Sequence, residues 1–278
     1  MIYQVDVKKA FLNGDLEEEI YIDQPKGFTM LGNEHKVCKL LKSLYGLKQA
    51  PRQWHEKFDQ CLLSNGFRTN ESDKCIYYRT FEDAHIITCL YVDGLLIFGP
   101  NMDIITVAKI LLKNNFDMKD LGEANVILGK KISRTSNGIF VDQSHYIENF
   151  LKKYNYFDCK PASISFDSNV HLFPTKDEND IYKQKEYAGI IGSLRYVIDC
   201  TRLDIAYVVG ILARFTSKPN SEHWNAMTQL IRYVKRIVHY GLLYQRYLAV
   251  LEGYSDTSWS TLLGDSLSTM GYVFTIGG

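Results

Sequence analysis

Two aspartates stand where apolar runs end, which is where a folded chain can present a carboxylate to solvent. Asp93 lies between the two apolar runs of residues 86–98, and Asp6 closes the run that begins at Ile2. Carboxylate oxygens are ligands that Mg²⁺ takes in proteins. Two such acids facing each other without a cation would repel by roughly 4 kcal/mol at about 4 Å and an effective dielectric near 20. The pair therefore indicates a divalent-metal site, and the residue that follows Asp93 is Gly94.

The pattern around Asp93 also has a purely structural interpretation. An Asp-Gly pair between two apolar runs is a strong signal for a type I′ hairpin, in which both central residues take positive φ. On this stretch alone, a hairpin that only connects two strands remains the alternative to a metal ligand.

The apolar periodicity predicts the elements that would position the two acids. Residues 1–8 predict a strand with Asp6 near its end, and residues 86–98 predict an antiparallel hairpin with Asp93 at its tip. Between them, Pro51 suits the first position of a helix. The apolar face of that helix is predicted to hold Trp54, Phe58 and Leu62. A sheet built from these strands brings both acids to one edge.

The rest of the chain predicts further helices and strands and one linker. Helices are predicted at residues 104–115, 143–154, 187–197, 204–215 and 222–238. Strands are predicted at residues 20–22, 76–78, 127–132, 138–141, 244–254 and 270–276. Residues 158–183 contain Pro, Ser and Asp with weak periodicity, which predicts a linker.

Charge and cysteine content argue against several functions. Lys plus Arg equals Asp plus Glu, 32 against 32, so no global positive field drives binding to nucleic acid. Neither the six cysteines nor the seven histidines show the spacing of a zinc site or a disulfide framework. No signal peptide or apolar run of membrane length is visible. We therefore expect an intracellular chain, in the cytosol or nucleus, with reduced thiols.

One segment carries a local excess of positive charge. Residues 36–57 contain a single acid, Glu56, and Tyr45 and Trp54 lie among their basic residues. The basic residues are Lys36, Lys39, Lys42, Lys48, Arg52 and Lys57. Cations interleaved with aromatic rings suit contacts to phosphates and bases. A solvated helix face beside a turn is the equally supported alternative.

A set of motifs in a defined order points to a known family. The motifs are residues 2–15 (IYQVDVKKAFLNGD), 43–54 (SLYGLKQAPRQW), 91–93 (YVD), 120–124 (DLGEA), 127–129 (ILG), 201–207 (TRLDIAY), 253–256 (GYSD) and 271–274 (GYVF). This ordered set closely resembles the reverse transcriptase of copia-type LTR retrotransposon Pol polyproteins, running into the start of the ribonuclease H domain. The resemblance extends over essentially the whole chain.

The resemblance implies an α+β fold and an order of domains. Residues 1–157 would form a polymerase palm, an antiparallel sheet packed on helices, and a thumb-like region, with the fingers missing. Residues 158–242 would be a linker and a helical connection. Residues 243–278 would be the truncated start of a ribonuclease H-like domain.

The resemblance also implies an activity, RNA-directed DNA polymerisation on an RNA or DNA template-primer with dNTPs. Asp6 and Asp93 would bridge two Mg²⁺ or Mn²⁺ ions, and Val7 would lend its backbone carbonyl. The family's third carboxylate corresponds to Gly94 here, so one ion loses a ligand and we expect impaired catalysis. The alternative is a non-catalytic transposon remnant or a module that only binds nucleic acid.

Other residues receive roles by the same resemblance. Phe11 would discriminate the sugar of the nucleotide, with a core Phe on a short helical turn as the alternative. Tyr45, Gly46 and Lys48 would line the nucleotide and template pocket. Asp256 matches the first acid of a ribonuclease H site, but one acid cannot hold two metal ions, so we expect no ribonuclease H activity. No membrane contact is implied, and the sequence does not identify a partner chain.

Overall fold

The computed structural model describes residues 1–29, 31–81, 84–176, 181–245, 250–258 and 268–276. Parts of the predicted linker (177–180) and of the predicted ribonuclease H start (246–249, 259–267 and 277–278) lie outside these ranges. The chain forms two compact units, Met1–Ala124 and Asn125–Gly278. Both combine helices with antiparallel strands, which confirms the predicted α+β class. The finer division into palm, thumb, connection and ribonuclease H parts stays a prediction.

The first unit contains eight strands, two helices and a 3₁₀ turn among its described residues. The strands are β1 (Ile2–Val7), β2 (Tyr21–Asp23), β3 (Val37–Lys39), β4 (Arg68–Thr69), β5 (Ile76–Phe81), β6 (Ala84–Tyr91), β7 (Gly94–Phe98) and β8 (Met118–Glu123). The helices are α1 (Ala50–Ser64) and α2 (Met102–Asn115), and the 3₁₀ turn is Ala10–Asn13. Six strands form one antiparallel sheet in the order β4-β5-β6-β7-β1-β8, and β2 pairs with β3 in a separate ribbon.

One face of the six-stranded sheet packs on α1 and α2. Val5 and Val7 of β1 and Leu95 of β7 are at most 1% exposed and share a core with residues of both helices. Fully burying an aliphatic or aromatic side chain of this size contributes about 1.5–3 kcal/mol. Burial alternates along β1, so that Asp6 lies on the opposite face. We call this opposite face, turned away from α1 and α2, the outer face.

The boundaries of α1 follow the expected signals. Pro51 lies in its first turn, where a missing N–H costs nothing. The helix ends at Ser64, and Gly66 then takes a left-handed φ of 81°, which stops its continuation. Its predicted apolar face is confirmed, since the buried residues include Trp54, Phe58 and Leu62.

The second unit joins a four-stranded sheet, a two-stranded ribbon and a helical core. Its strands are β9 (Val126–Ile127), β10 (Lys130–Thr135), β11 (Gly138–Asp142), β12 (Gly241–Gln245), β13 (Leu251–Ser258) and β14 (Thr269–Ile276). The sheet order is β12-β11-β10-β9, and β13 pairs with β14. The helices are α3 (Ser144–Lys153), α4 (Gln184–Cys200), α5 (Ala206–Ala213) and α6 (Ser221–Arg236), whose apolar faces form the core.

Two segments of this unit that were predicted as single strands are each divided between two strands, so these two predictions are wrong. The predicted strand 127–132 breaks at Leu128 and Gly129, which both take left-handed φ and form the two-residue turn between β9 and β10. The predicted strand 244–254 is divided between β12, which pairs with β11, and β13, which pairs with β14. Periodicity reveals neither break, because it does not show which strands pair.

The motif at residues 201–207 has a structural role in this unit. The Arg202 guanidinium is buried and donates two hydrogen bonds to the Asp204 carboxylate, at 2.8 and 2.6 Å. It also donates to the carbonyl of Ile237. The bidentate pair fixes the guanidinium, and its bond to Ile237 joins the segment before α5 to the end of α6. This explains why an arginine and an aspartate occur two positions apart here.

Candidate active site

The turn between β6 and β7 differs from the one predicted. Tyr91 pairs with Gly94, so the two central residues are Val92 and Asp93. The prediction that Asp93 and Gly94 form the centre of a type I′ turn is therefore wrong. Only the first central residue has positive φ, with Val92 at 58°, which is the pattern of a type II′ turn. Gly94 is the first residue of β7 and needs no glycine-specific backbone conformation.

Trp54 holds this turn in place. Its indole N–H donates a hydrogen bond of 2.6 Å to the backbone carbonyl of Val92. Trp54 is 1% exposed, and its ring packs against those of Phe58 and Phe116 at centroid distances of 5.6 and 5.1 Å. A left-handed φ on a β-branched residue costs free energy and persists only where the surroundings enforce it. The helix α1 thus fixes the conformation of the residue that precedes Asp93.

The sheet brings Asp6 and Asp93 together. Asp6 lies opposite Gly94 in the pairing of β1 with β7. The amide of Val7 donates a hydrogen bond of 2.8 Å to the backbone carbonyl of Asp93. Because the N–H and C=O of one strand residue point to the same side, the Val7 carbonyl also faces the turn. Asp6 and Asp93 are half-buried residues, and they come from adjacent strand ends of the sheet.

One row of residues crosses the outer face at this level. Lys119 of β8 lies opposite Asp6, Asp6 lies opposite Gly94, and Gly94 lies opposite Tyr91. Directly opposite residues project from the same face of a sheet. Tyr91 is 61% exposed. The position of Lys119 beside Asp6 was not predicted from the sequence, because the pairing of β8 with β1 depends on contacts between segments far apart in the chain.

Position 94 can accept a side chain. A Cβ built on Gly94 would meet only the carbonyl oxygen of Tyr91 within 4 Å, at the ordinary contact distance of 3.6 Å. The φ of Gly94 lies outside the left-handed region. An L-residue at this position therefore has neither a steric nor a backbone penalty.

Asp6, Asp93 and the backbone carbonyl of Val7 are the oxygen donors that these strand ends offer to a divalent ion. Two carboxylates and a backbone carbonyl are hard ligands of the kind Mg²⁺ prefers, and Mg²⁺ sites commonly use one or two carboxylates. In the part of the chain that the structure describes, no group of three or more His, Cys, Asp or Glu could hold a metal ion. A second ion would therefore have to take most of its ligands from water or substrate.

The structure also brings together residues predicted to contact the nucleotide. Phe11 lies in the 3₁₀ turn, and its ring centroid is 4.6 Å from that of Tyr45. Tyr45 is 49% exposed, and Lys48 is exposed. Gly46 takes a φ of 98°, and a Cβ there would have open space around it. Phe11 also packs against the core, so its predicted and alternative roles are both compatible with this position.

The basic segment 36–57 is less positive in the folded chain than in the sequence. Lys57 and Lys42 both pair with Asp15, at 2.8 and 3.8 Å. Lys39 pairs with Glu19, and Arg52 pairs with Glu56. The lysines beside Asp15 lower the pKa of its carboxyl, chiefly through the hydrogen bond from Lys57. Acids from residues 15–19 thus neutralise part of the predicted phosphate-binding segment.

The other predicted site residue lies in the second unit. Asp256 is in β13, opposite Gly271 of β14, and it is exposed. The six cysteines are free thiols and half-buried. The described residues contain no helix long and apolar enough to cross a membrane.

Comparison with known proteins shows the family of the chain. Residues 1–167 match the family model described as reverse transcriptase (RNA-dependent DNA polymerase), so the chain belongs to that reverse transcriptase family. Its relatives are copia-type Pol polyproteins. The chain is 42% identical to the retrovirus-related Pol polyprotein from transposon TNT 1-94 of Nicotiana tabacum, over 100% of the chain and 22% of that protein.

Two further relatives give the same result. The retrovirus-related Pol polyprotein from transposon RE1 of Arabidopsis thaliana is 33% identical over 99% of the chain and 19% of its own length. The putative transposon Ty5-1 protein of Saccharomyces cerevisiae is 32% identical over 99% of the chain and 89% of its length. The chain thus spans about a fifth of the two plant polyproteins it matches.

Proposed function

We propose that the first unit is a polymerase palm and that the chain's function is RNA-directed DNA polymerisation, impaired by Gly94. One observation carries the proposal. Two carboxylates, Asp6 and Asp93, stand at adjacent strand ends of an antiparallel sheet, beside a turn that Trp54 holds in a strained conformation. Family membership supports it, since the matched family is that of RNA-dependent DNA polymerases.

The cofactor in this proposal is Mg²⁺, with Mn²⁺ as a substitute. Asp6 and Asp93 would hold the metal with their carboxylates, and the Val7 carbonyl faces the same place. When bound, the metal supplies charge neutralisation for the primer hydroxyl and the nucleotide phosphates. The two ions predicted from the sequence require more ligands than these side chains offer, and position 94 is where a carboxylate is lacking.

Other residues of the first unit would bind and orient the substrates. The partly exposed pair of Phe11 and Tyr45 offers an aromatic surface beside the loop that carries Gly46 and Lys48. Stacking of a base or sugar on such a surface does not depend on base identity. We propose template-primer and dNTPs as the ligands, in the cytoplasm or nucleus.

For the second unit we propose the parts that accompany a palm. Its helices would form the thumb and connection, and the ribbon of β13 and β14 would be the start of a ribonuclease H-like domain. Asp256 is the residue of this ribbon that the resemblance matches to an acid of the ribonuclease H site. One acid cannot hold two metal ions, so we propose no ribonuclease H activity for this chain.

The substitution Gly94→Asp tests the proposal. We expect the unaltered chain to extend a primed RNA template weakly or not at all with Mg²⁺ and dNTPs. Gly94→Asp should raise the extension rate at least tenfold, because it restores an oxygen ligand at a position with room for a side chain. The measurement is single-turnover extension of a labelled primer.

Two controls make the outcome specific. Gly271→Asp adds the same side chain to another strand glycine with open space and should leave extension unchanged. Adding Asp93→Asn to Gly94→Asp should abolish the gain. Equal extension by the unaltered chain and Gly94→Asp, or a gain that survives Asp93→Asn, would contradict the proposed site.

The alternative function is a non-catalytic remnant or a nucleic-acid-binding module. Gly94 favours the remnant, because it removes a ligand without affecting the fold. The ion pairs of Asp15 with Lys42 and Lys57 argue against a module that binds through segment 36–57. Absence of extension in Gly94→Asp, together with retained template binding, would favour the binding module.

A further inference from the structure

Lys119 lies directly opposite Asp6 in the pairing of β1 with β8. Side chains directly opposite each other in an antiparallel pair share a face, with Cβ atoms about 4.5–5.5 Å apart. A lysine side chain spans such a separation easily, and Lys119 is exposed. None of the ion pairs among the described residues joins the Lys119 ammonium to Asp6. The two groups are nevertheless within reach of each other on the outer face.

The acids nearest to Lys119 in the sequence are bound elsewhere. The Asp117 carboxylate pairs with the Lys8 ammonium at 3.0 Å. The Asp120 carboxylate pairs with the Lys109 ammonium of α2 at 2.8 Å. Asp120 lies opposite Val5, so this pair stands on the helix-packed face of the sheet and not on the outer face. Asp6 is thus the carboxylate that the strand register offers to Lys119.

The charges around position 94 differ from those of a site with three carboxylates. Asp6 and Asp93 carry two negative charges, Gly94 adds none, and Lys119 brings one positive charge to the same row. One divalent cation neutralises the two carboxylates completely. A second divalent cation would be repelled by the first and by the ammonium, since like charges a few ångströms apart repel each other even near a protein surface.

We propose that this site holds a single divalent cation between Asp6 and Asp93, and that the positive charge of the Lys119 ammonium, beside Asp6, disfavours a second divalent cation. The inference rests on the proposed function, because it assumes that the two carboxylates bind metal. Lys119 acts here through its charge, which lies on the same face of the sheet as Asp6 and limits the number of metal ions bound.

The test is a titration of the full chain with Mn²⁺ alone, in which electron paramagnetic resonance measures the free ion. We expect one Mn²⁺ per unaltered chain, and none when Asp6→Asn or Asp93→Asn is introduced. Lys119→Met should tighten Mn²⁺ binding by roughly tenfold, because a positive charge leaves the site. Lys119→Arg should bind as the unaltered chain does. Gly94→Asp combined with Lys119→Met should raise the count to two.

A matched control is Lys131→Met, which removes an exposed lysine from strand β10 of the other unit and should change the affinity less than twofold. Two Mn²⁺ ions on the unaltered chain would overturn the inference. So would an affinity that Lys119→Met leaves unchanged while Asp6→Asn abolishes binding; the proposed metal site would then survive. If Asp6→Asn and Asp93→Asn leave Mn²⁺ binding intact, both the inference and the proposed metal site fail.

Discussion

At the scale of single residues, the turn at Val92 and Asp93 links packing to chemistry. Val92 has a left-handed φ of 58°, which L-residues avoid, and the indole of Trp54 bonds to its carbonyl. The hydrogen bond and the strained φ act on the residue that precedes a predicted metal ligand. The sequence indicated a glycine-based turn, but the glycine stands one position later and leaves the strain on a valine.

The strained φ of Val92 predicts that a glycine at this position gives a more stable chain than an alanine does. Glycine normally destabilises a chain relative to alanine, because it loses more conformational entropy on folding. At a left-handed φ the order reverses, since alanine keeps a penalty of about 1–2 kcal/mol that glycine lacks. We expect Val92→Gly to have a free energy of unfolding about 1 kcal/mol above that of Val92→Ala, measured by urea denaturation. A Val92→Ala chain as stable as Val92→Gly would show that the backbone is not strained there.

At the scale of elements, strand register decides which side chains meet. The pairings of β1 with β7 and with β8 place Gly94 on one side of Asp6 and Lys119 on the other. A register shift between Gln4 and Val5 lies just before this row, in the pairing with β8. Because such an irregularity changes which residues stand opposite each other, the neighbours of Asp6 on β8 could not be inferred from alternation alone.

The start of α6 carries a pH-sensitive cap. The Asn220 side chain accepts a hydrogen bond from the His223 amide, and the His223 Nδ1 accepts one from the Asn220 amide. His223 is fully buried, and the ring of Phe215 stacks on it at 3.9 Å. Burial lowers the pKa of His223, although the Phe173 backbone and Glu222 act in the opposite direction. Protonation would place a charge in the core and remove the acceptor from the cap.

This cap predicts how stability depends on pH. Since the pKa of His223 is lower in the folded chain than in the unfolded chain, the unfolded chain binds the proton more readily. The contribution of His223 is complete above the unfolded value of about 6.5 and is lost as the pH falls below it. His223→Gln keeps a capping box without a titratable ring. We expect its unfolding free energy to fall less than that of the unaltered chain between about pH 7.5 and 5; an equal fall would contradict this role.

At the scale of the whole molecule, local sequence signals predicted single helices and strands, but they did not predict contacts between distant segments. The helix with Trp54, Phe58 and Leu62 and the strand with Asp6 follow from periodicity and end signals, and the structure confirms them. Periodicity could not show that the strand expected at 244–254 divides between two partners, because the partners are set by pairing with other segments of the chain. It also could not show that acids from residues 15–19 would pair with the basic segment.

The same division applies to the candidate site, whose acids were predicted from the sequence while their neighbours were not. Both acids and their position at strand ends could be found from apolar runs that stop at an aspartate. Both lie within the residues that match the reverse transcriptase family. The contributions of Lys119 and Trp54 depend on a register and on a hydrogen bond between distant segments, which no local pattern encodes.

The metal site of Asp6 and Asp93 is tested most directly by locating bound metal in crystals of the chain grown with Mn²⁺, by anomalous scattering. We expect a peak at the ends of β1 and β7, with carboxylate oxygens of Asp6 and Asp93 at about 2.0–2.2 Å, and loss of that peak in Asp93→Asn. An occupied Mn²⁺ site elsewhere, with the two carboxylates free of metal, would contradict it.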